Sequence, residues 1–276
     1  MTYYNENDPK AAAWLRELIS RGLIAPGIVD ERSILDVRST DLSGYAQCHF
    51  FAGIGGWSYA LRLAGWPDDR PVWTGSCPCQ PFSAAGKGLG TADARHLWPE
   101  FKRLIAIGKP AVVFGEQVAS KAGREWLAGV RLDLEALGYG AGAADLCAAG
   151  VGAPHIRQRL YWMADAGYEQ AGRTADAGEA QGRRAFGDAS GCGAASGLAY
   201  ALPAGRPEGW AESGYRSTAW SSSDSIACTD GKSRRVESGT FPLAHGIPAR
   251  MGRLRGYGNA IVPQVAAQFI EACMKA

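Results

Sequence analysis

Residues 47–56 read QCHFFAGIGG, a short apolar run that passes directly into a glycine-rich turn. The run predicts a buried strand at residues 47–51, and the apolar stretch at 57–64 predicts a helix that ends at Gly65. Such a strand, turn and helix can bind a nucleotide or adenosyl group, because glycines let the backbone approach a ligand and a helix N-terminus offers unpaired N–H groups. A purely structural turn explains this short pattern equally well.

Strands and helices alternate on both sides of this turn. Hydrophobic periodicity predicts helices near residues 8–22, 96–107, 124–137 and 263–274, and strands near 72–75, 111–114, 143–146 and 159–163. This alternation is typical of an α/β domain with a largely parallel sheet. After Ala164 the chain is rich in Gly, Ala, Ser and Arg up to residue 240, and strand signals are lacking, which indicates a loop-rich lobe or a disordered insertion.

The composition excludes several classes of protein. Hydrophobic residues make up 46% of the chain and charged residues 20%, enough apolar material for a core and too much for a wholly disordered chain. No apolar run is long enough to span a membrane, and no secretory signal is evident, so we expect a cytoplasmic protein. The formal charge of +2 does not by itself indicate a polyanionic partner. A local cationic stretch either contacts phosphates or forms a solvated surface: Lys232, Arg234, Arg235, Arg250, Arg253 and Arg255.

The seven cysteines are odd in number and irregularly spaced, which indicates free thiols. Cys77 and Cys79 form a C-x-C pair, but no second Cys/His pair follows at zinc-ligand spacing. The sequence therefore predicts no metal site.

Four residues next to predicted strands carry potential chemistry. Cys79 lies in the loop GSCPCQPFS (75–83), where a thiolate nucleophile would be well placed; a cysteine that only fills space is the alternative. Glu116 follows an apolar strand and would serve as a general acid or as a helix cap. Arg157 and Arg159 alternate before a strand, so we expect both to point the same way and to bind an anion or an electron-rich ring.

Five motifs in order complete the pattern: FxGxGG (51–56), PCQPFS (78–83), EQV (116–118), PHIRQR (154–159) and GNAIVP (258–263). In this order they resemble the DNA (cytosine-5) methyltransferase family. The resemblance implies a Rossmann-like class I methyltransferase sheet with a small target-recognition lobe. It divides the chain into an N-terminal helical extension (1–45), a catalytic domain (46–164 and 246–276) and a target-recognition or variable region (165–245).

The resemblance also implies roles for individual residues. Cys79 would add to C6 of a cytosine flipped out of the duplex, Glu116 would hold and protonate N3, and Arg159 with Arg157 would brace the base. The cofactor would be S-adenosylmethionine, bound by Phe51, Gly53, Ile54, Gly55, Gly56, Asn259 and Ala260. The substrate contacts would come from Gln80, Ser83, Lys87, Arg95, Gln117, Arg253 and Arg255. We expect a monomer acting on double-stranded DNA in restriction-modification or phage DNA modification, with single-stranded DNA and RNA as open alternatives.

The short interval between Gly56 and Cys79 departs from the family, which places two more strands there. Those strands supply an acidic residue for the cofactor ribose and an aspartate for the adenine amino group, whereas this interval offers only Asp68 and Asp69. We therefore expect a reduced sheet and a cofactor pocket that is altered or impaired. Two alternative functions follow from this expectation: a zinc-free cytosine deaminase using the same Cys79 and Glu116 chemistry, and a DNA-binding homologue without turnover.

Overall fold

The computed structural model describes residues 1–78, 97–153, 155–167, 224–227, 233–236 and 259–275. The strands are β1 (Thr2–Asn5), β2 (Gly27–Asp30), β3 (Gln47–Phe50), β4 (Val72–Gly75), β5 (Val112–Val118), β6 (Gly140–Cys147), β7 (Gln158–Asp165), β8 (Asp224–Ala227) and β9 (Ser233–Val236). The helices are α1 (Pro9–Ser20), α2 (Gly56–Leu63), α3 (Trp98–Gly108), α4 (Lys121–Ala136) and α5 (Pro263–Lys275). Each helix and strand predicted from the sequence has a counterpart, with ends shifted by a few residues.

Seven strands form one mixed sheet in the order β2-β1-β3-β4-β5-β7-β6. Neighbouring strands from β2 to β5 run parallel, while β7 runs antiparallel to both β5 and β6. This topology confirms the α/β class and the largely parallel sheet. Because β7 is reversed, its N-terminal end lies at the edge where the parallel strands have their carboxyl ends.

The N-terminal segment is part of this sheet, so the expectations of a helical extension at 1–45 and of a reduced sheet were wrong. Tyr4 of β1 pairs with His49 on one side and with Val29 of β2 on the other. The related family places two strands between the positions of Gly56 and Cys79. In this sheet, β1 and β2, which precede the glycine-rich turn in the chain, lie beside β3 instead. At four residues each, β1 and β2 are too short to show hydrophobic periodicity, and the strong helical pattern between them dominates the sequence signal.

Both faces of the sheet are covered by helices. On one face, α2 and α5 pack through Trp57 and Phe269 against Phe114 of β5. On the other face, α3 and α4 contribute Phe101 and Trp126 to a second apolar cluster. A parallel sheet covered on both faces presents its functional groups at the carboxyl ends of its strands, which directs attention to that edge.

The region 165–245 contains a strand pair that the sequence did not predict. Strands β8 and β9 pair antiparallel, with Asp224 opposite Val236 and Ala227 opposite Ser233. The expectation that this region lacks strands was therefore wrong for β8 and β9. Four-residue strands with mostly polar residues do not show an alternation of apolar and polar residues. Among the helices of the described ranges, none is both long and apolar enough to cross a membrane.

Candidate active site

Glu116 and Arg159 form a buried ion pair at the carboxyl edge of the sheet. Arg159 Nε lies 2.9 Å from Glu116 Oε1, and their side chains are 21% and 11% exposed. The pairing register explains this contact, since Glu116 lies opposite Tyr161 and Arg159 lies opposite Val118, two positions along on the same face. The antiparallel ladder therefore brings together two side chains that are far apart in the chain.

Burial makes Glu116 titrate near neutral pH. Removal from water raises the pKa of its carboxyl from 4.5 to about 7, while the positive charges of Arg159 and Arg157 and hydrogen bonds from Arg159 and Ser76 act in the opposite direction. Near pH 7 the protonated and ionised forms are therefore both populated. A carboxyl group in this state can donate a proton to a ring nitrogen and take it back.

Arg157 and Arg159 have different hydrogen-bond partners, although both of their charges act on Glu116. The guanidinium NH2 of Arg157 donates to the backbone carbonyl of Ala260, ahead of α5. Arg157 lies in the turn before β7 with a φ of 22°, outside the extended conformation that alternation assumes. The charge of Arg157 acts on Glu116, so Arg157 links the Glu116 carboxyl to the segment before α5.

The glycine-rich turn takes the sharp conformation that its sequence predicts. Gly55 caps α2 with a φ of 81°, a left-handed conformation that costs little without a Cβ. Gly56 permits a close approach, because a Cβ there would lie 2.8 Å from Cγ1 of Ile261. The turn that holds Phe51, Gly53 and Ile54 is thereby packed next to the segment that holds Asn259 and Ala260.

Glu6 is a site residue that the sequence did not indicate. It directly follows β1, and its Oε2 accepts a hydrogen bond from the backbone N–H of Gly53 at 2.7 Å, while its Oε1 accepts from Asp8. This is a carboxylate after a strand that neighbours the one carrying the glycine-rich turn, the position where many dinucleotide folds bind a ribose hydroxyl. The pattern of an acidic residue after a strand could have found it, had β1 been recognised.

Asp68, in the interval after Gly56, and Asp30, at the end of β2, are each paired with an arginine. Asp68 forms a two-point ion pair with Arg62, at 2.7 and 3.0 Å. Asp30, at the end of β2, accepts hydrogen bonds from Tyr3 and Arg32. Asp68 therefore stabilises the end of α2, whereas Glu6 is hydrogen-bonded to the glycine-rich turn.

Several predicted site residues lie outside the described part of the chain: Cys79, Gln80, Ser83, Lys87, Arg95, Arg253 and Arg255. The thiol of Cys77, two positions before Cys79, is described and buried, and burial raises its pKa well above the usual range. Gln117 is also buried; its Oε1 accepts a hydrogen bond from Val118, and within the described ranges its Nε2 has no hydrogen-bond partner. Gln117 thus lies inside the fold next to Glu116, away from solvent.

Comparison with known proteins finds similarity in the part of the chain that contains this site. A family model described as C-5 cytosine-specific DNA methylase matches residues 66–171, the range that contains Cys79, Glu116, Arg157 and Arg159. The Type II methyltransferase M.HhaI of Haemophilus parahaemolyticus is 27% identical over 169 residues, which are 47% of this chain and 52% of the relative.

A second relative, the Type II methyltransferase M.AplI of Arthrospira platensis, is 34% identical over 104 residues, 37% of this chain and 29% of the relative. Among solved structures, the S. pombe Dnmt2 methyltransferase is similar with a TM-score of 0.36 at 15% identity, covering 65% of this chain and 57% of that one. The matched region thus spans about half of M.HhaI and less than a third of M.AplI. Residues 66–171 therefore match the C-5 cytosine-specific DNA methylase model, and the chain is similar to two Type II methyltransferases over part of its length.

Proposed function

We propose that this protein methylates C5 of cytosine in double-stranded DNA with S-adenosylmethionine as the methyl donor. The observation that carries the proposal is the buried Glu116–Arg159 pair at the carboxyl edge of the sheet. A carboxyl group that is protonated near pH 7 suits a cytosine, whose N3 accepts a hydrogen bond. The adjacent guanidinium suits the electron-rich carbonyl oxygen of the same base.

The proposed reaction begins with a flipped cytosine held by these two residues. The Cys79 thiolate forms a bond to C6. The electron pair of the C5–C6 double bond moves into the ring, and the proton that Glu116 shares with N3 stabilises the negative charge that results. C5 would then have enamine character and would bond to the donor's methyl group, while the bond between that group and the sulfonium sulfur would break and leave its electron pair on sulfur. A base removes the C5 proton, the double bond returns, and the bond between C6 and Cys79 sulfur breaks.

The residues of the glycine-rich turn fit the proposed cofactor. S-Adenosylmethionine supplies an electrophilic methyl group on its sulfonium sulfur when it is bound. The Glu6 carboxylate beside Gly53 offers the acceptor that a ribose hydroxyl needs, and Phe51 provides an aromatic surface at the same turn. Asn259, in the segment that Gly56 allows to approach, would close the pocket.

The DNA contacts proposed from the family motifs come from the loops at residues 79–96 and 250–256, with the region 165–245 as the target-recognition lobe. The first of these segments follows the carboxyl end of β4, and the second precedes the start of α5, near which Ala260 accepts a hydrogen bond from Arg157. We further propose that the protein acts as a monomer, since one chain supplies Glu6, Glu116 and Arg159 to the same edge.

The deaminase hypothesis depended on missing cofactor strands. Strands β1 and β2 now fill that side of the sheet, and Glu6 places a carboxylate at the glycine-rich turn. Among the residues that the structure describes, no feature favours deamination over methyl transfer.

The test is mass spectrometry of nucleosides from duplex DNA incubated with the protein, with and without S-adenosylmethionine. We expect 5-methylcytosine only with the cofactor, none with Cys79→Ser, and a rise of about tenfold in KM for the cofactor with Glu6→Gln, the scale of one lost hydrogen bond to a charged group. Glu17→Gln is the matched control, because Glu17 is an exposed carboxylate on α1 paired only locally with Arg21. Absence of 5-methylcytosine in duplex DNA, or its appearance in RNA alone, would refute the proposal.

A further inference from the structure

We propose that Trp57 acts through the hydroxyl group of Ser76 as a positioning residue for the Glu116 carboxyl. This inference rests on the proposed function, in which Glu116 donates a proton to the base. Trp57 directly follows the glycine-rich turn and Ser76 directly follows β4, and neither residue belongs to the five sequence motifs.

The indole of Trp57 is held in one orientation. Trp57 is 4% exposed and begins the first turn of α2. Its ring stacks on Phe114 with centroids 6.1 Å apart and meets Tyr161 edge-on at 6.2 Å. The fixed ring directs its single donor, Nε1–H, at Ser76 Oγ, 2.9 Å away. An indole N–H can only donate, so Ser76 is the acceptor in this bond.

This bond determines what the Ser76 hydroxyl can do. A serine hydroxyl has one proton to donate and two lone pairs to accept with. Gly75 of β4 pairs with Gly115 of β5, so Ser76 and Glu116, the next residue after each, are neighbours at the carboxyl edge. Once a lone pair of Ser76 accepts from Trp57, the hydroxyl proton is available to the Glu116 carboxyl, and this interaction lowers the pKa of that group. The result is a chain of two hydrogen bonds, Trp57 to Ser76 to Glu116, in which each group polarises the next.

The other groups that face Glu116 come from β7 and the turn before it. Arg159 pairs with it directly, Arg157 adds a second positive charge, and the Tyr161 hydroxyl is close enough for the carboxylate to raise its pKa. These three residues lie in β7 or in the turn before it, on one side of β5. Ser76 directly follows β4, on the other side of β5, and its bond from Trp57 connects Glu116 with α2.

A purely structural role for Trp57 predicts something different. If the indole only fills the core, phenylalanine should replace it with little effect on Glu116, because the stacking on Phe114 would be kept. If its N–H orients Ser76, Trp57→Phe and Ser76→Ala should have the same effect. Each removes a hydrogen bond that favours the charged carboxylate, so each should raise the pKa of Glu116.

The experiment compares pH profiles of kcat/KM for methyl transfer to duplex DNA in the wild type, Trp57→Phe, Ser76→Ala and the double variant. Activity should fall as Glu116 loses its proton, and in both single variants this limb should move to higher pH by about one unit, the scale of one hydrogen bond to a charged group. The double variant should shift no further than Ser76→Ala, because both changes break the same chain. Ser76→Thr keeps the hydroxyl and should restore the wild-type profile.

Trp66→Phe is the matched control. Trp66 lies in the same cluster and meets Phe114 edge-on, but its Nε1 donates to the carbonyl of Arg70. It should leave the pH profile unchanged. An unshifted profile in Trp57→Phe, or an equal shift in Trp66→Phe, overturns the inference.

Carbon-13 NMR titration of the Glu116 side chain in the same intact variants separates this inference from the proposed function. A pKa raised in Trp57→Phe in a protein that forms no 5-methylcytosine would refute the function and keep the coupling. Methylation with an unchanged Glu116 titration would keep the function and refute the coupling.

Discussion

The raised pKa of Glu116 makes the stability of this protein depend on pH in a direction opposite to that of most carboxylates. Its pKa is about 7 in the folded protein and 4.5 without burial. Below pH 4.5 both states hold the proton. As the pH rises from 4.5 to 7 the unfolded chain releases it while the folded protein retains it, so the free energy of unfolding falls.

Glu116→Gln removes this loss, because glutamine is never charged. From the two pKa values, the wild type loses about 2–3 kcal/mol between pH 5 and pH 8 through this one group. Relative to the wild type, the variant should therefore gain about 2–3 kcal/mol in unfolding free energy over the same range. The gain should be complete about one unit above pH 7.

Urea unfolding followed by tryptophan fluorescence at pH 5, 6, 7 and 8 measures this difference. Glu125→Gln is the control, since Glu125 is 67% exposed and lies 4.0 Å from Lys121; its difference from the wild type should be flat with pH. A flat difference for Glu116→Gln, or one that shrinks as the pH rises, would show that Glu116 is ionised throughout and that the proton-donor role is wrong.

The remaining predictions concern packing, cofactor binding and thiol accessibility. Gly56→Ala should cost about 1–3 kcal/mol in thermal unfolding, because its Cβ would lie 2.8 Å from Ile261; an unchanged melting temperature would contradict this. Arg157→Lys should weaken S-adenosylhomocysteine binding about tenfold in calorimetry, since it loses the guanidinium bond to the loop before α5; full affinity would refute that link. Iodoacetamide at pH 7.5 should modify partly exposed Cys147 faster than buried Cys77 in peptide mass spectrometry, and the reverse order would contradict the described burial.

The sequence by itself determined the local elements around the site and the edge where the chemistry lies. The apolar runs of β5 and β7 are long enough to be recognised as strands. The four-residue strands β3 and β4 are recognised because a loop rich in Gly or Pro directly follows each of them. Because parallel strands share a carboxyl edge, the positions of Glu116 and the glycine-rich turn after their strands were sufficient to predict that they lie on the same side of the molecule.

Only the tertiary structure decided which strands complete the sheet and which side chains meet. Glu6 reaches Gly53 across 47 positions of sequence, because β1 pairs with β3, and neither four-residue strand at the N-terminus carries a periodic signal of its own. Arg157 hydrogen-bonds to the carbonyl of Ala260, 103 positions later in the chain, a contact that the alternation of Arg157 and Arg159 does not indicate. Strand pairing and side-chain contacts of this kind depend on which distant segments exclude water from each other, and that information is not local to any stretch of the chain.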